Sequence, residues 1–269
     1  MRKKQLEGRL IKKKSFHKKS WIISLITIAL LFSLSTIREF PAFSNSLPAS
    51  QIHPLPNSLA KWQDPKANGD YFKLIETTPV GYLVWSQFPI KIYFEQSPEQ
   101  ANQESTANLI RSQQWEKAIN EAIAEWGNYL PLQIVNNPDS ADILIKRSEV
   151  PRKAKLNPDT GLYDIPRTIT AQTSYEFYLQ AEATQKKLAH RMFLKISPDL
   201  SAIATLSAAR HELGHALGIW GHSDLESDAL YFSQVRNTPP ISARDINTLK
   251  KIYQQPSKLG WSISESAQN

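Results

Sequence analysis

Three of the chain's six histidines fall within twelve residues of the segment ARHELGHALGIWGHSD, which runs from Ala209 to Asp224. His211 and His215 are four residues apart, and on a helix this spacing places side chains one above the other, about 6 Å along the axis. Both imidazoles can then point at one Zn²⁺ ion, which accepts imidazole nitrogen at about 2.0–2.1 Å. Glu212 lies roughly 100° around the helix from His211, where it can take a proton from water beside the metal without being a ligand. The spacing therefore predicts a zinc site suited to hydrolysis.

A third ligand has to come from beyond the helix, because two protein ligands leave zinc under-coordinated. Gly218 can adopt the left-handed turn that ends a helix, and such a turn would bring His222 back towards the metal. Asp224 is the alternative, since carboxylate oxygen binds zinc at about 2.0–2.2 Å. We favour His222 because it is closer to the helix along the chain, and Asp224 would need a longer loop to reach the metal. Ser223 and Asp224 are then expected to brace the loop from behind the ligands.

Strands and helices alternate around this segment in a way that predicts one α+β domain. Alternating apolar residues in FPIKIYF indicate a strand, and LQIV, ADILIKR, RTITAQTSYEFYLQ and RMFLKIS indicate four more. Helical spacing is found in SQQWEKAINEAIAEWGNYL, in DLSAIATLSAARHELGHALGIW and in ISARDINTLKKIYQQ. Asp199 or Ser201 is the expected cap of the second helix, and Ser242 that of the third.

The positive charge is confined to the N-terminus. Residues 1–40 carry ten Lys or Arg and two acids, whereas the remaining residues carry 22 and 23. We find no basic stripe in the body of the chain and expect no nucleic-acid partner. The basic leader precedes an uncharged apolar run, residues 21–37, which predicts a cleaved signal peptide or an uncleaved membrane anchor. The domain is then extracytoplasmic, either secreted or tethered to the cytoplasmic membrane.

Four segments follow from this organisation. Residues 1–44 form the leader with its signal peptide or anchor, and residues 45–80, rich in Pro, Ser and Asn, form a linker or short pro-segment. Residues 81–256 form the catalytic domain, and residues 257–269 form a polar tail. The chain has no cysteine, so we expect no disulfides and no cysteine-ligated zinc.

The segment HELGHALGIWGHSD resembles the metzincin zinc metallopeptidases, most closely those with a matrixin-like catalytic domain of the bacterial type. The order of FPIKIYFE, a Trp-bearing helix, ADILI and PPISARDINTLKKIY is also similar, over roughly residues 80–256. The resemblance implies a twisted, five-stranded, mostly parallel sheet, an active-site helix ending at Gly218, and a small C-terminal subdomain with one helix. It also implies one zinc ion on His211, His215 and His222, with Glu212 as general base. The implied activity is an endopeptidase whose polypeptide substrate lies as an extended strand along TAQTSYEFYL.

The chain departs from the family pattern at several positions. The family reads HExxHxxGxxH, whereas this chain has one extra residue before the third histidine. No methionine is present in ESDALYFS, where the family's methionine turn should lie, so Leu230 or Ala229 takes its place beneath the zinc. Tyr231 follows as a candidate oxyanion donor or a packed aromatic. Without cysteine a cysteine switch is impossible, and His190 is the only histidine near the family's structural zinc, so we expect that site to be absent.

Two further possibilities remain open from the sequence. Asp159 and Asp164 in NPDTGLYD could bind Ca²⁺, although ordinary loop acids have the same composition. The domain could also be a non-catalytic zinc-bound interaction module tethered at the membrane, or a zinc hydrolase of a non-protein polymer. Retention of Glu212 favours a peptidase, because a binding module does not need a general base.

Overall fold

The computed structural model describes residues 47–96, 105–150, 155–156, 163–164, 169–182, 185–233, 235 and 237–263; for 155–156 and 163–164 it describes the backbone alone. The leader and the apolar run of residues 21–37 lie outside these ranges. Within the ranges, none of the helices has the length and apolar character needed to span a membrane.

A five-stranded sheet forms the centre of the fold. Its strands are β1 (Ile90–Phe94), β2 (Leu132–Ile134), β3 (Ile143–Arg147), β6 (Ala171–Ala181) and β7 (Lys186–Ile196), and they lie in the order β2-β1-β3-β7-β6. The first four strands of that order pair in parallel, and β6 pairs antiparallel with β7 at the edge. The predicted mostly parallel sheet is therefore confirmed. Two short strands that the sequence pattern did not predict, β4 (Lys155–Leu156) and β5 (Tyr163–Asp164), form a separate antiparallel pair.

The described residues also form four α-helices, α1 (Asn57–Lys61), α2 (Thr106–Gly127), α3 (Ala202–Ala216) and α4 (Ala243–Tyr253), and two 3-10 turns, Phe72–Leu74 and Pro138–Ser140. Ser201 caps α3 by accepting a hydrogen bond from the Ala204 backbone N–H. Ser242 caps α4 in a capping box with Asp245, which satisfies backbone donors at both ends of the box. The α+β prediction and the predicted C-terminal helix are thus confirmed.

The core lies where α2 and α3 pack against each other and α3 packs on the sheet. Ile90, Ile92 and Phe94 alternate with more exposed residues along β1 and are fully or nearly fully buried. The helices are also joined by polar groups: Arg210 on α3 forms two hydrogen bonds to the Glu125 carboxylate on α2. This arrangement fixes the position of α3, which carries His211 and His215.

The packed core continues across both predicted edges of the catalytic domain. Leu59, Tyr71 and Val80, from the predicted linker, are at most 3% exposed and belong to the same apolar cluster as the sheet residues. In the predicted tail, Leu259 is 1% exposed and joins the same cluster. As domain boundaries, residues 80 and 256 stay predictions, but neither coincides with an edge of the core.

His190 on β7 is buried without a matching polar environment. Its ring stacks on Trp85 at 3.9 Å between centroids, and its Nε2 has no hydrogen-bond partner among the described residues. Burial lowers the pKa of His190 to about 3, because the charged imidazolium would lose its hydration.

Acid should therefore destabilise the fold through His190. Below pH 6.5 the unfolded chain binds a proton at His190, whereas the folded chain does not bind it until about pH 3. The free energy of unfolding therefore falls as pH falls through this window. At pH 5 the cost is about 2 kcal/mol. His190→Phe, which keeps an aromatic ring against Trp85, should lose less stability between pH 7 and pH 5 than the wild type. Urea unfolding at both pH values, with a metal chelator throughout, measures this; equal losses would contradict it.

Candidate metal centre

His211, His215 and His222 converge on one point. Each offers one ring nitrogen, and these donor atoms lie within 4.8 Å of one another. The Nε2 atoms of His211 and His215 are 3.1 Å apart. Nitrogen ligands of a tetrahedral zinc ion lie about 3.3 Å from each other, since each Zn–N distance is about 2.0–2.1 Å. The spacing of these two donors therefore fits a shared zinc ion.

Backbone carbonyls set the orientation of the two helical histidines. His211 Nδ1 lies 2.9 Å from the Ala229 carbonyl oxygen, and His215 Nδ1 lies 2.7 Å from that of Ile219. Because a carbonyl only accepts, each Nδ1 carries the proton and each Nε2 is left with a lone pair. Two lone pairs facing each other at 3.1 Å repel unless a cation lies between them. This donor set is the one expected of residues that hold a metal.

Burial also keeps the three imidazoles neutral. It lowers the pKa of His211 to about 4, although the hydrogen bond to Ala229 acts in the opposite direction. Burial likewise lowers the pKa of His215, and partial desolvation of the more exposed His222 lowers its pKa as well. Neutral imidazole is the form that binds a metal, so protons do not compete for these nitrogens near pH 7.

A tight turn after α3 brings His222 back to the other two histidines. Gly218 has a φ of +128°, and an added Cβ would lie 2.5 Å from the Leu83 carbonyl oxygen, so only glycine fits. Two successive three-residue turns follow, closed by hydrogen bonds from Trp220 N–H to the Gly218 carbonyl at 2.9 Å and from Gly221 N–H to the Ile219 carbonyl at 3.1 Å. These turns shorten the path from α3 to His222, which offsets the extra residue before it.

Ala229 and Leu230, the two candidates for the family's methionine position, have different places beside α3. Ala229 supplies the carbonyl that orients His211. Leu230 is completely buried, and its side chain lies so close to Gly214 that an added Cβ there would meet Leu230 Cδ2 at 2.5 Å. Leu230 is thus packed under the part of α3 that lies between the two histidines.

Ser223 and Asp224 occupy different environments. Ser223 is 1% exposed, donates its hydroxyl to Asp228 Oδ2 at 2.5 Å, and donates its backbone N–H to Leu230. Asp224 is exposed and pairs with Arg244 on α4 at 3.2 Å, and it is not part of the histidine group. Arg244 also binds the fully buried Asp228.

Tyr231 is half-buried beside the same loop. Its backbone N–H donates to the Asp228 carbonyl, and its ring packs on Phe232 with centroids 4.5 Å apart.

The ion pair between buried Asp228 and half-buried Arg244 was missed by the sequence analysis. Its members are 16 residues apart, on a loop and on a helix, and no spacing rule links such positions.

Asp245 connects the loop that contains Ala229 to the start of α4. Its carboxylate is completely buried and accepts hydrogen bonds from the Tyr71 hydroxyl at 2.6 Å, the Ala229 N–H at 2.9 Å and the Ser242 N–H at 2.8 Å. Burial raises the pKa of Asp245, while these hydrogen bonds act to lower it. Because the Ala229 N–H binds Asp245 and the Ala229 carbonyl binds His211, Asp245 helps to fix the orientation of His211.

Glu212 lies next to the histidines in a nearly closed environment. Glu212 is only 7% exposed, and its Oε2 accepts a hydrogen bond from the Thr173 hydroxyl on β6 at 2.6 Å. Burial raises the pKa of Glu212 to about 7, and the Thr173 hydrogen bond opposes that rise. Thr173 was also missed, since a single threonine in a strand has no sequence signal.

The two candidate calcium ligands, Asp159 and Asp164, belong to the segment NPDTGLYD. Asp159 lies outside the described residues, and for Asp164 only the backbone of β5 is described.

Comparison with known proteins gives one family. Residues 99–254, more than half of the chain, match the family model of the matrixins. No curated protein sequence matches the chain.

Replacing the two candidate third ligands separately should distinguish them. His222→Ala should lower zinc affinity by more than the about 10–100-fold typical of residues behind the ligands, whereas Asp224→Ala should stay within that range. Competition with a zinc-binding dye measures both. Loss of zinc in Asp224→Ala with retention in His222→Ala would assign the third position to the aspartate.

Proposed function

Because the chain belongs to the matrixin family, and is therefore a zinc metallopeptidase, we propose that it is an endopeptidase that uses Glu212 as general base. One observation supports this most strongly: three imidazole donors converge within 4.8 Å, directly beside a buried carboxylate. A structural metal site does not need that carboxylate.

We assign one zinc ion to His211, His215 and His222. Bound there, zinc supplies Lewis-acid chemistry, lowering the pKa of water and polarising a peptide carbonyl. The histidines contribute neutral nitrogen ligands, and the carbonyls of Ala229 and Ile219 keep them in the tautomer that leaves Nε2 free. Leu230 is completely buried and packs against Gly214, between the two helical histidines.

Glu212 is suited to moving a proton at this position. Thr173 occupies Oε2, so Oε1 remains to receive the proton of the attacking water and to pass it to the leaving amine. A pKa raised to about 7 by burial would keep the carboxyl partly protonated at neutral pH, and a nearby divalent cation acts in the opposite direction by favouring the carboxylate. The two effects together keep Glu212 ionised yet basic enough to accept the proton.

The substrate is proposed to lie along β6 as an extended strand. Among the described strands β6 is the last of the sheet and pairs with β7 on one side, so its other edge offers backbone groups to an extended peptide. Thr173 lies on this same strand. The element proposed to align the peptide therefore also holds the carboxylate that acts on it.

The site of action is proposed to be outside the cytoplasm. Support comes from the sequence alone: a basic leader followed by the uncharged run of residues 21–37. The protein is then secreted, or tethered to the cytoplasmic membrane if the run is retained.

Glu212→Gln tests the assigned base. It should keep the fold and the zinc but lower turnover of a denatured protein substrate by about 10²–10⁴-fold, because an amide cannot accept the proton. Glu121→Gln, an exposed substitution on α2, is the matched control and should keep wild-type turnover. Near-normal turnover in Glu212→Gln would remove this residue from the mechanism, and a zinc-loaded wild type without turnover would support the non-catalytic module.

Thr173→Val tests whether the hydroxyl orients the base. A hydrogen bond to a charged group is worth about 1.5–3 kcal/mol, so kcat should fall by about 10–100-fold with KM and zinc content unchanged. The acid limb of the pH–rate profile should move to higher pH, because loss of this hydrogen bond raises the pKa of Glu212. Thr173→Ser keeps the hydroxyl and should restore both. An unchanged kcat and profile in the valine variant would contradict the role.

A further inference from the structure

A segment before the sheet, residues 57–80, wraps around α4; we call it the strap. It begins with α1 and includes a 3-10 turn at Phe72–Leu74. Leu59 is completely buried, and Tyr71 is 3% exposed. An arrangement with such buried anchors differs from a loose linker, whose residues stay solvated.

Polar contacts fix the strap to α4 along much of its length. Trp62 Nε1 donates to Asn247 Oδ1 at 2.9 Å, and Asn247 Nδ2 donates to Asp64 at 2.7 Å. Further along, Tyr71 binds Thr248 and Asp245. Since Asp245 also holds the Ala229 N–H, the strap is connected to the loop that orients His211.

The strap then crosses the loop that carries the third histidine, residues 218–222, which we call the third-ligand loop. Ile75 and Gly221 form an antiparallel bridge, and the Glu76 N–H donates to the Trp220 carbonyl at 2.8 Å. The approach is so close that a Cβ on Gly221 would lie 2.4 Å from the Leu74 carbonyl oxygen. Ile75 itself is buried against the same core.

The third-ligand loop needs such a support, because it is one residue longer than the family pattern and ends in an exposed histidine. Trp220, within the loop, packs edge-on against Tyr175 of β6 with centroids 5.0 Å apart. The loop is thus held from one side by β6 and from the other by the strap. His222 follows the strap contact directly.

We propose that the strap is retained in the active enzyme and positions His222, by pairing of Ile75 and Glu76 with Trp220 and Gly221. The inference rests on the proposed function in taking His222 as a zinc ligand. A pro-segment that was removed on activation would leave the third-ligand loop unpaired and would expose the apolar core surface that Leu59, Tyr71 and Ile75 cover. Retention therefore follows from the same contacts that position the ligand.

Gly221→Ala tests the close contact in the full-length protein. Gly221 has no left-handed φ, so the obstacle to a methyl group is the strap itself, chiefly the Leu74 carbonyl. Zinc affinity, measured by dye competition, should fall by about 10–100-fold. Gly127→Ala, where an added Cβ meets nothing within 4 Å, is the matched control and should bind zinc as the wild type does. Wild-type affinity in Gly221→Ala would overturn the proposal.

A second pair of variants separates positioning from stability. Ile75→Ala and Leu59→Ala each remove a buried aliphatic side chain from the strap, and both should lower the melting temperature. Only Ile75→Ala should also weaken zinc binding, by about 10-fold or more, because the Ile75 side chain packs against the third-ligand loop, with its Cδ1 3.2 Å from where a Cβ on Gly221 would lie. Equal zinc affinities in the two variants would show that the strap stabilises the fold without positioning the ligand, and would overturn the proposal.

The intact mass of the active species tests retention. Active, zinc-loaded protein should still contain residues 57–80, and a fully active form that begins after Glu76 would overturn the proposal. His222→Ala, measured alongside, separates the two levels of the argument. If it binds zinc as the wild type does, the ligand assignment of the proposed function fails and the strap proposal fails with it. If it loses zinc while Gly221→Ala and Ile75→Ala do not, the strap proposal alone fails.

Discussion

Two imidazole nitrogens facing each other at 3.1 Å are the constraint on which the rest of this structure depends. Lone pairs at that distance repel, and burial removes the water that would otherwise screen them. Protonating one ring would relieve the repulsion, but burial lowers the pKa of both histidines, so protonation near neutral pH is unfavourable. A cation resolves the conflict. The fold therefore maintains an arrangement whose stability improves when a metal binds, and binding of metal to the folded state adds to the stability of the fold.

Maintaining that arrangement requires supports from distant parts of the chain. The Ala229 carbonyl orients His211, Asp245 holds the Ala229 N–H, and Tyr71 of the strap binds Asp245. On the other side, the strap pairs with the loop before His222. Each contact is a hydrogen bond to backbone or a buried carboxylate, and these are directional where apolar packing is not. Apolar burial drives the chain to fold, while this polar series determines where the ring nitrogens point.

The sequence predicted the parts of the structure whose signals are local. The sheet strands, α3 with Ser201 as one of its two candidate caps, and α4 with its Ser242 cap follow from periodicity and capping chemistry, which act over a few residues. The grouping of the three histidines also followed from spacing within one short segment.

Long-range contacts had no such signal. Thr173 and Glu212 are 39 residues apart and meet because β6 lies beside α3, so no pattern in either segment connects them. Residues 45–80 were expected to be a linker or pro-segment because their composition is typical of irregular chain. Composition does not show that a few apolar residues, such as Leu59 and Tyr71, are buried by contacts with residues far along the sequence. The strap is therefore a tertiary feature, visible only once α4 is in place.

X-ray absorption at the zinc edge of the purified, zinc-loaded protein tests the central claim most directly. The account predicts three imidazole nitrogens at about 2.0–2.1 Å, completed by a light-atom ligand from solvent. A spectrum that requires only two imidazoles, with a protein carboxylate in the third position, would contradict the assignment of His222 and with it the proposed role of the strap.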